Sequence, residues 1–255
     1  MPYLTVGQER IFYAQHGDAG PVLLYVHGAG GSHQHWLHQL QHVQAVRSYA
    51  LDLPGHSRSE GMGRQTIADY SQFVLAFLDA LNLEKASLVG HSMGGAITLQ
   101  TALNNPQRVE GIILVGTGAR LRVLPAFLQG LQDDFMATVH QICSYCYAKG
   151  AAEELVRQGE ADFLANDPEV LHGDFAACDA FDVIGRLEEI TCPALVICGS
   201  EDQMTPLKYS TYLRDHIPAA RLVTVEGAGH MAMMEQPEAV SQAIAAFVAG
   251  QARSG

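Results

Sequence analysis

The chain has 255 residues, 48% of them hydrophobic, and its 15 Lys and Arg against 27 Asp and Glu give a formal net charge of −12. That is enough apolar material for one α/β core with a modest insertion, while an acidic chain without a Lys/Arg cluster is a poor partner for nucleic acid or an anionic membrane surface. No apolar run approaches the ~18 residues of a bilayer span, the start "MPYLTVGQER" lacks the basic-then-apolar order of a signal peptide, and five cysteines do not make a disulfide scaffold in a chain this long, so a reducing cytoplasm is the expected setting.

Residues 3–6 and 10–15 read as an antiparallel hairpin at a sheet edge. "PVLLYVHG" (21–28) is then the first of a series of short runs rich in Val, Ile and Leu that end in or near glycine. "YALDLPG" (49–55), "ASLVGH" (86–91), "GIILVG" (111–116), "ALVICG" (194–199) and "RLVTVEG" (221–227) follow the same design. Such runs are strands buried on both faces, as in a parallel sheet. Helical patterns lie between them. "TIADYSQFVLAFLDALNL" sets Ile67, Tyr70, Phe73, Val74, Phe77, Leu78 and Leu81 on one face. "SMGGAITLQTALNN" ends before Pro106, and "PEAVSQAIAAFVAG" is expected to close at Gly250. The alternation breaks at 118–187, where the pattern is helical throughout. The chain is therefore expected to be an α/β core (1–117 and 188–255) with an all-helical cap (118–187).

"SLVGHSMGGA" (87–96) places Ser92 between Gly90 and Gly94, with a buried strand before it and a helix pattern directly after. Gly-x-Ser-x-Gly alone arises by chance; this setting is much rarer. A strand–serine–helix turn is tight enough to force the serine into unfavourable φ/ψ and to need small neighbours. It leaves the hydroxyl exposed over a helix N-terminus, where the Met93 N–H points the same way. A serine hydroxyl needs a base, and the base an orienter. His230, after "RLVTVEGAG", and Asp202, after "ALVICGSE", sit at the ends of later strands in the order Ser, Asp, His. The rivals for the acid are Glu201, Asp179 and Asp182. The glycine-rich loop "HGAGGSHQHW" after the strand at 21–27 offers the N–H of Ala29 as an oxyanion donor to pair with that of Met93.

With these residues in view the chain resembles the α/β-hydrolase superfamily, in its small, capped, carboxylesterase-like form. The matching stretches are "VHGAGGSHQHW", "LDLPGHSRSEG", "LVGHSMGGAITL", "CPALVICGSEDQMTP" and "VEGAGHMAMMEQPEAV". The resemblance implies a mostly parallel eight-stranded sheet, a helical cap and a Ser92–His230–Asp202 site. One departure is Ser57, where the resembling loop carries a second glycine. The substrate is not transferred by the resemblance.

The expected activity is hydrolysis of carboxylic esters of modest size through an acyl-enzyme on Ser92, with no metal or organic cofactor. A small-molecule ester or thioester is the partner, and the chain is a monomer or homodimer. Trp36, His91 and Met231 are candidate pocket walls. Among the apolar cap residues Phe127, Leu128, Leu131, Phe135, Tyr145 and Tyr147, at least some are expected to face the pocket. The same three catalytic groups serve a thioesterase, for which Arg120, Arg122, Arg157 and Arg186 could meet phosphates. They also serve a carbon–carbon bond hydrolase or a proton-transfer lyase, and a receptor built on this scaffold is a reading from another class. His33, His35, His38 and His42 read as part of a surface helix rather than a metal site, and Cys143 and Cys146 as packing inside a cap helix.

Overall fold

A computed structural model describes residues 2–251 of the chain. The hairpin forms as expected, β1 (Tyr3–Val6) pairing antiparallel with β2 (Glu9–His16). The five apolar runs and the later candidate become β3 (Val22–Val26), β4 (Arg47–Leu51), β5 (Ala86–His91), β6 (Val109–Val115), β7 (Ala194–Gly199) and β8 (Arg221–Val225). They form one 8-stranded sheet in the order β1-β2-β4-β3-β5-β6-β7-β8. β2 joins β4 antiparallel, and every pair from β4 to β8 is parallel.

The strands read as unbroken apolar runs because both faces are covered. Leu24, Val26, Leu88, Ile112 and Leu114 pack with Val74 and Phe77 of α2 (Ile67–Ala80) and Leu99 of α3 (Met93–Asn104). The alternate residues Leu23, Tyr25, Val89, Ile113 and Val115 pack with Leu40 of α1 (Leu37–His42) and Val240 and Ile244 of α10 (Pro237–Gln251). Period-2 alternation thus divides one apolar run between two layers. α10 runs one residue past Gly250, which was expected to end it. α8 (Leu207–His216) lies between β7 and β8, and the short α9 (Ala232–Glu235) follows β8.

Between β6 and β7 the chain leaves the sheet. It forms α4 (Pro125–Asp133), α5 (Phe135–Cys146), α6 (Glu153–Leu164) and α7 (Pro168–Ala180). The two ends of this insertion meet: Arg120 and Asp182 form an isolated bridge, and the Val183 N–H donates to the Ala119 carbonyl at 2.8 Å.

The glycines around Ser92 are required by close approach. A Cβ on Gly90 would lie 2.1 Å from the Gly94 carbonyl oxygen, and one on Gly94 would lie 2.3 Å from the Val26 oxygen and 2.6 Å from that of His27. The start of α3 therefore sits directly on the end of β3. Gly94→Ala is expected to cost about 3 kcal/mol or more, because both obstacles are backbone. The gain of about 1 kcal/mol in helix propensity does not offset this. A lower denaturant midpoint at unchanged slope is the measurement.

Candidate active site

Ser92 stands between β5 and α3 at φ 52, ψ −114, conformations that only glycine adopts freely. The bend is held from several sides. The Ser92 N–H donates to Val115 O at 3.0 Å, and its carbonyl accepts from Gly95 N, Ala96 N and, at 2.8 Å, the Thr117 hydroxyl. Strain of this kind costs about 1–3 kcal/mol and persists only where its surroundings over-determine it.

His230 and Asp202 lie at the ends of β8 and β7. Asp202 accepts from His230 Nδ1 at 2.9 and 3.1 Å on its two oxygens, and from the Thr205 N–H and hydroxyl at 2.8 Å each. Burial alone would raise the Asp202 carboxyl, but the His230 charge and hydrogen bond and the two Thr205 donors outweigh it and hold the pKa below the ordinary value. The rival carboxylates are occupied elsewhere: Asp179 accepts from Val123 N, Asp182 faces Arg120, and Glu201 is exposed and faces Lys149 N. Gly116 lets the chain pass this pair, since a Cβ there would lie 3.2 Å from His230 Nδ1 and 3.3 Å from Asp202 Oδ2.

The loop after β3 comes up beside Ser92: a Cβ on Gly28 would lie 3.2 Å from the Ser92 Cβ. Among the described residues, the N–H groups of Ala29 and Met93 have no protein acceptor. Met93 occupies the first position of α3, where N–H groups lack helical partners and favour negative charge. Ala29, Ser92, His91, Thr205, His230 and Met231 line one pocket. His91 donates from Nε2 to the His230 carbonyl at 3.0 Å, and burial drives its pKa well below the usual value, so the ring is neutral.

Several expectations need correction. Trp36 is not a wall of this pocket: it is fully buried, its ring 5.2 Å from that of Tyr25, and it belongs to the packing under the sheet. None of Phe127, Leu128, Leu131, Phe135, Tyr145 and Tyr147 lines the pocket either. Instead Leu121, Val123, Ile142, Phe163 and Phe175 supply its apolar walls. Phe127 and Leu131 are spent on packing the inserted helices, and Tyr145 is largely turned outward. His33 and His35 are buried, not on a surface helix, and Asp52 accepts from the His33 N–H and its Nδ1. Cys143 and Cys146 are buried free thiols, and burial pushes Cys143 up to about 12, which fits packing rather than redox chemistry. Ser57 has φ 48, which is why the resembling loop uses glycine there.

Sequence reasoning missed a buried polar centre next to the site. Asp174 of α7, fully buried, accepts from His56 Nε2 at 2.7 Å, the Tyr70 hydroxyl at 2.6 Å and the Gly30 N–H at 3.0 Å. His56 Nδ1 faces the Pro54 carbonyl at 3.0 Å, so both ring nitrogens donate and the ring is an imidazolium. Burial would lower its pKa, but the Asp174 charge and hydrogen bond win and raise it. The signal was present. Asp174 shares a helical face with Val170, Leu171, Phe175 and Cys178, all buried, and a carboxylate on such a face must be paired.

A raised histidine pKa stabilises the fold fully below its unfolded value of about 6.5, and that contribution is lost as pH rises through the folded value. The stability advantage of the wild type over the double variant His56→Gln/Asp174→Asn is therefore expected to shrink between pH 6 and alkaline pH, measured by urea unfolding.

The whole-chain comparisons agree with this geometry. A profile of the alpha/beta hydrolase family matches residues 23–243. The chain is 31% identical to the dihydrolipoyllysine-residue acetyltransferase component of the acetoin cleaving system of Pseudomonas putida, over 91% of this chain but only 64% of that protein's length. It is 30% identical to a putative carbamate hydrolase, RutD, of Caulobacter sp. (strain K31), covering 96% of this chain and 97% of the relative. Among solved structures, a thermophilic esterase superposes with a TM-score of 0.89 at 33% identity, over 98% of this chain and 97% of that one. A parallel sheet with a strained serine at the end of its β5 strand, and a family profile spanning nearly all of it, lead to one assignment: the chain belongs to the alpha/beta hydrolase family.

Proposed function

We propose that the chain is a serine hydrolase of carboxylic esters, acting on small to medium acyl or aryl substrates. The observation that carries this reading is a half-buried serine at φ 52 that shares one pocket with a histidine hydrogen-bonded to a buried carboxylate. In the first step His230 Nε2 takes the Ser92 proton as Oγ attacks the carbonyl carbon. The oxyanion that forms meets the N–H groups of Ala29 and Met93. His230 then gives the proton to the departing alkoxide, leaving the acyl group on Ser92. Water, deprotonated by His230, releases the acid and restores the serine. Asp202 holds the Nδ1–H tautomer throughout. This chemistry calls on no cofactor. The apolar walls, with Arg122 and Tyr209 also lining the pocket, favour an acyl or aryl group over a sugar or nucleotide.

The thioesterase reading draws little support from the arginines. Arg120, Arg157 and Arg186 are each tied to a carboxylate, of Asp182, Glu154 and Glu189 respectively, and only Arg122 reaches the pocket. A carbamate is attacked in the same way as an ester, and similarity to the Caulobacter putative carbamate hydrolase makes one a sensible member of the substrate panel.

The test is a series of p-nitrophenyl esters from acetate to octanoate, with an N-alkyl carbamate and matching acyl-CoAs. A burst of nitrophenol followed by steady turnover supports the esterase. Preference for the CoA thioesters shifts the assignment to a thioesterase, and a ligand bound without turnover shifts it to a receptor.

A further inference from the structure

The inserted helices do more than roof the pocket. Gly30 follows the proposed oxyanion donor Ala29 directly, and both of its peptide polar groups are held by side chains of the insertion. Its N–H donates to Asp174 Oδ2 at 3.0 Å, and its carbonyl accepts from Asn166 Nδ2 at 2.9 Å. Asn166 stands just after α6 and also donates to the Asp162 and Phe163 carbonyls. Gly30 itself sits at φ 60 with no room above it: a Cβ would lie 2.6 Å from Leu171 Cδ1 of α7. Asp174 in turn is fixed from the core by Tyr70 of α2 and by His56 of the loop after β4. The Gly28 carbonyl accepts from the Gly31 N–H at 3.1 Å and from His27 Nδ1 at 2.8 Å, closing the same turn from below. The histidine loop is braced by the insertion as well. The Met231 N–H donates to Cys146 O at 3.1 Å, and Glu235 accepts from Ala148 N at 2.8 Å and Gly229 N at 3.0 Å.

We propose that Asp174 and Asn166 are positioning residues that aim the Ala29 N–H at the oxyanion through Gly30, so that seating of the inserted helices and assembly of the oxyanion hole are one event. The proposal rests on the acyl-enzyme reading above. Its physical reason is that a donor N–H acts only when fixed in place before charge develops, and a misplacement of about 1 Å can cost about a hundredfold in rate. A glycine at positive φ has the freedom to turn its peptide away, and the two side chains remove that freedom.

The experiment compares Asn166→Ala, Asp174→Asn, Asp174→Ala and Tyr70→Phe with wild type. Three quantities are measured: kcat and KM on a p-nitrophenyl ester, Ki for a trifluoromethyl ketone that forms a tetrahedral oxyanion on Ser92, and Ki for an ether analogue of the ester, which has no carbonyl to meet the oxyanion donors. In Asn166→Ala, kcat/KM is expected to fall about tenfold to a hundredfold and the ketone to weaken by the same factor. KM and the ether Ki should stay within about twofold, because the ether makes no contact with the oxyanion donors and the ground-state ester gains little from them. Asp174→Asn keeps an acceptor for Gly30 and should lose less than Asp174→Ala. Tyr70→Phe removes a donor from Asp174 but leaves Gly30 held, so it lowers stability with little change in ketone affinity. Asn166 lies outside the buried ion pair, so its variant keeps the test open if Asp174→Ala does not fold.

Two results overturn the proposal. One is Asn166→Ala holding kcat/KM within about threefold of wild type; the other is ketone and ether affinities falling together, as a merely structural role predicts. If instead Ser92→Ala retains wild-type turnover, the serine reading itself fails and the proposal falls with it, a result distinguishable from the first two.

Discussion

Replacing Ser92 by alanine is expected to lower ester turnover by about 10⁴- to 10⁶-fold and to abolish the nitrophenol burst, with the fold retained. The reason is chemical rather than structural. The Ser92 side chain is not part of the hydrogen bonds that shape its bend: those run through its N–H and carbonyl, to Val115, Gly95, Ala96 and Thr117. Removing the hydroxyl removes the proposed attacking atom and leaves the turn as it was. Ser92→Gly separates the two roles further. It removes the nucleophile equally, but at φ 52 it also releases strain of about 1–3 kcal/mol. Glycine gives back about 0.5–1 kcal/mol through the freedom it adds to the unfolded chain. The net expectation is an inactive protein about 1 kcal/mol more stable than wild type, read from the denaturant midpoint. A Ser92→Ala protein that still turns esters over at the wild-type rate would remove this residue from the chemistry altogether. Inactive Ser92→Gly with unchanged stability would leave the nucleophile in place but deny the strain.

The features that were legible in the sequence were those encoded locally. A strand covered on both faces must be apolar at every position, so β3, β5 and β7 announce themselves as runs such as "VLLYV" and "ALVICG". Ser92, Asp202 and His230 could be singled out because each follows such a run across a short turn, with the turn chemistry carried by adjacent glycines, and the structure sets Asp202 against His230 with Ser92 in the same pocket. What was hidden depends on contacts between residues distant in the chain. Asp174 reaches Gly30 across 144 positions and His56 across 118, and nothing in "VLHGDFAAC" names those partners. The pocket walls failed for a related reason. Inserted helices pack against one another as well as over Ser92, and the apolar pattern marks both faces alike. Phe127 thus went to packing while Phe163 and Phe175, on later helices, reached the pocket. Trp36 followed the right loop but the 3-10 turn at His33–Trp36 directs its ring into the core against Tyr25.

Asp202→Asn is the second large effect, about 10³- to 10⁴-fold on kcat/KM, and its cause is the histidine tautomer. In the wild type both carboxylate oxygens only accept. His230 Nδ1 therefore carries the proton, and in the neutral ring Nε2 is left free for the role of base proposed for it. The Thr205 N–H and hydroxyl already occupy one oxygen each. An amide keeps a single acceptor oxygen, and the Thr205 N–H, which can only donate, holds that oxygen in the place of Oδ1; the NH₂ then takes the place of Oδ2, the oxygen nearer His230 Nδ1. Facing that NH₂, Nδ1 becomes the acceptor, the proton moves to Nε2 and the base is gone. The Thr205 hydroxyl, a donor to Oδ2 in the wild type, can turn to accept from the same NH₂. Thr205→Val supplies the control, since it removes the hydroxyl while the carboxylate stays and should keep most of the activity in its own right. Stability follows a separate sign. The Asp202 pKa is held below its unfolded value, so its contribution is present above about pH 4 and is lost as pH falls through the folded value. The stability gap between wild type and Asp202→Asn should therefore close in acid. Activity that survives Asp202→Asn within about tenfold would mean that the tautomer is fixed by something other than this carboxylate.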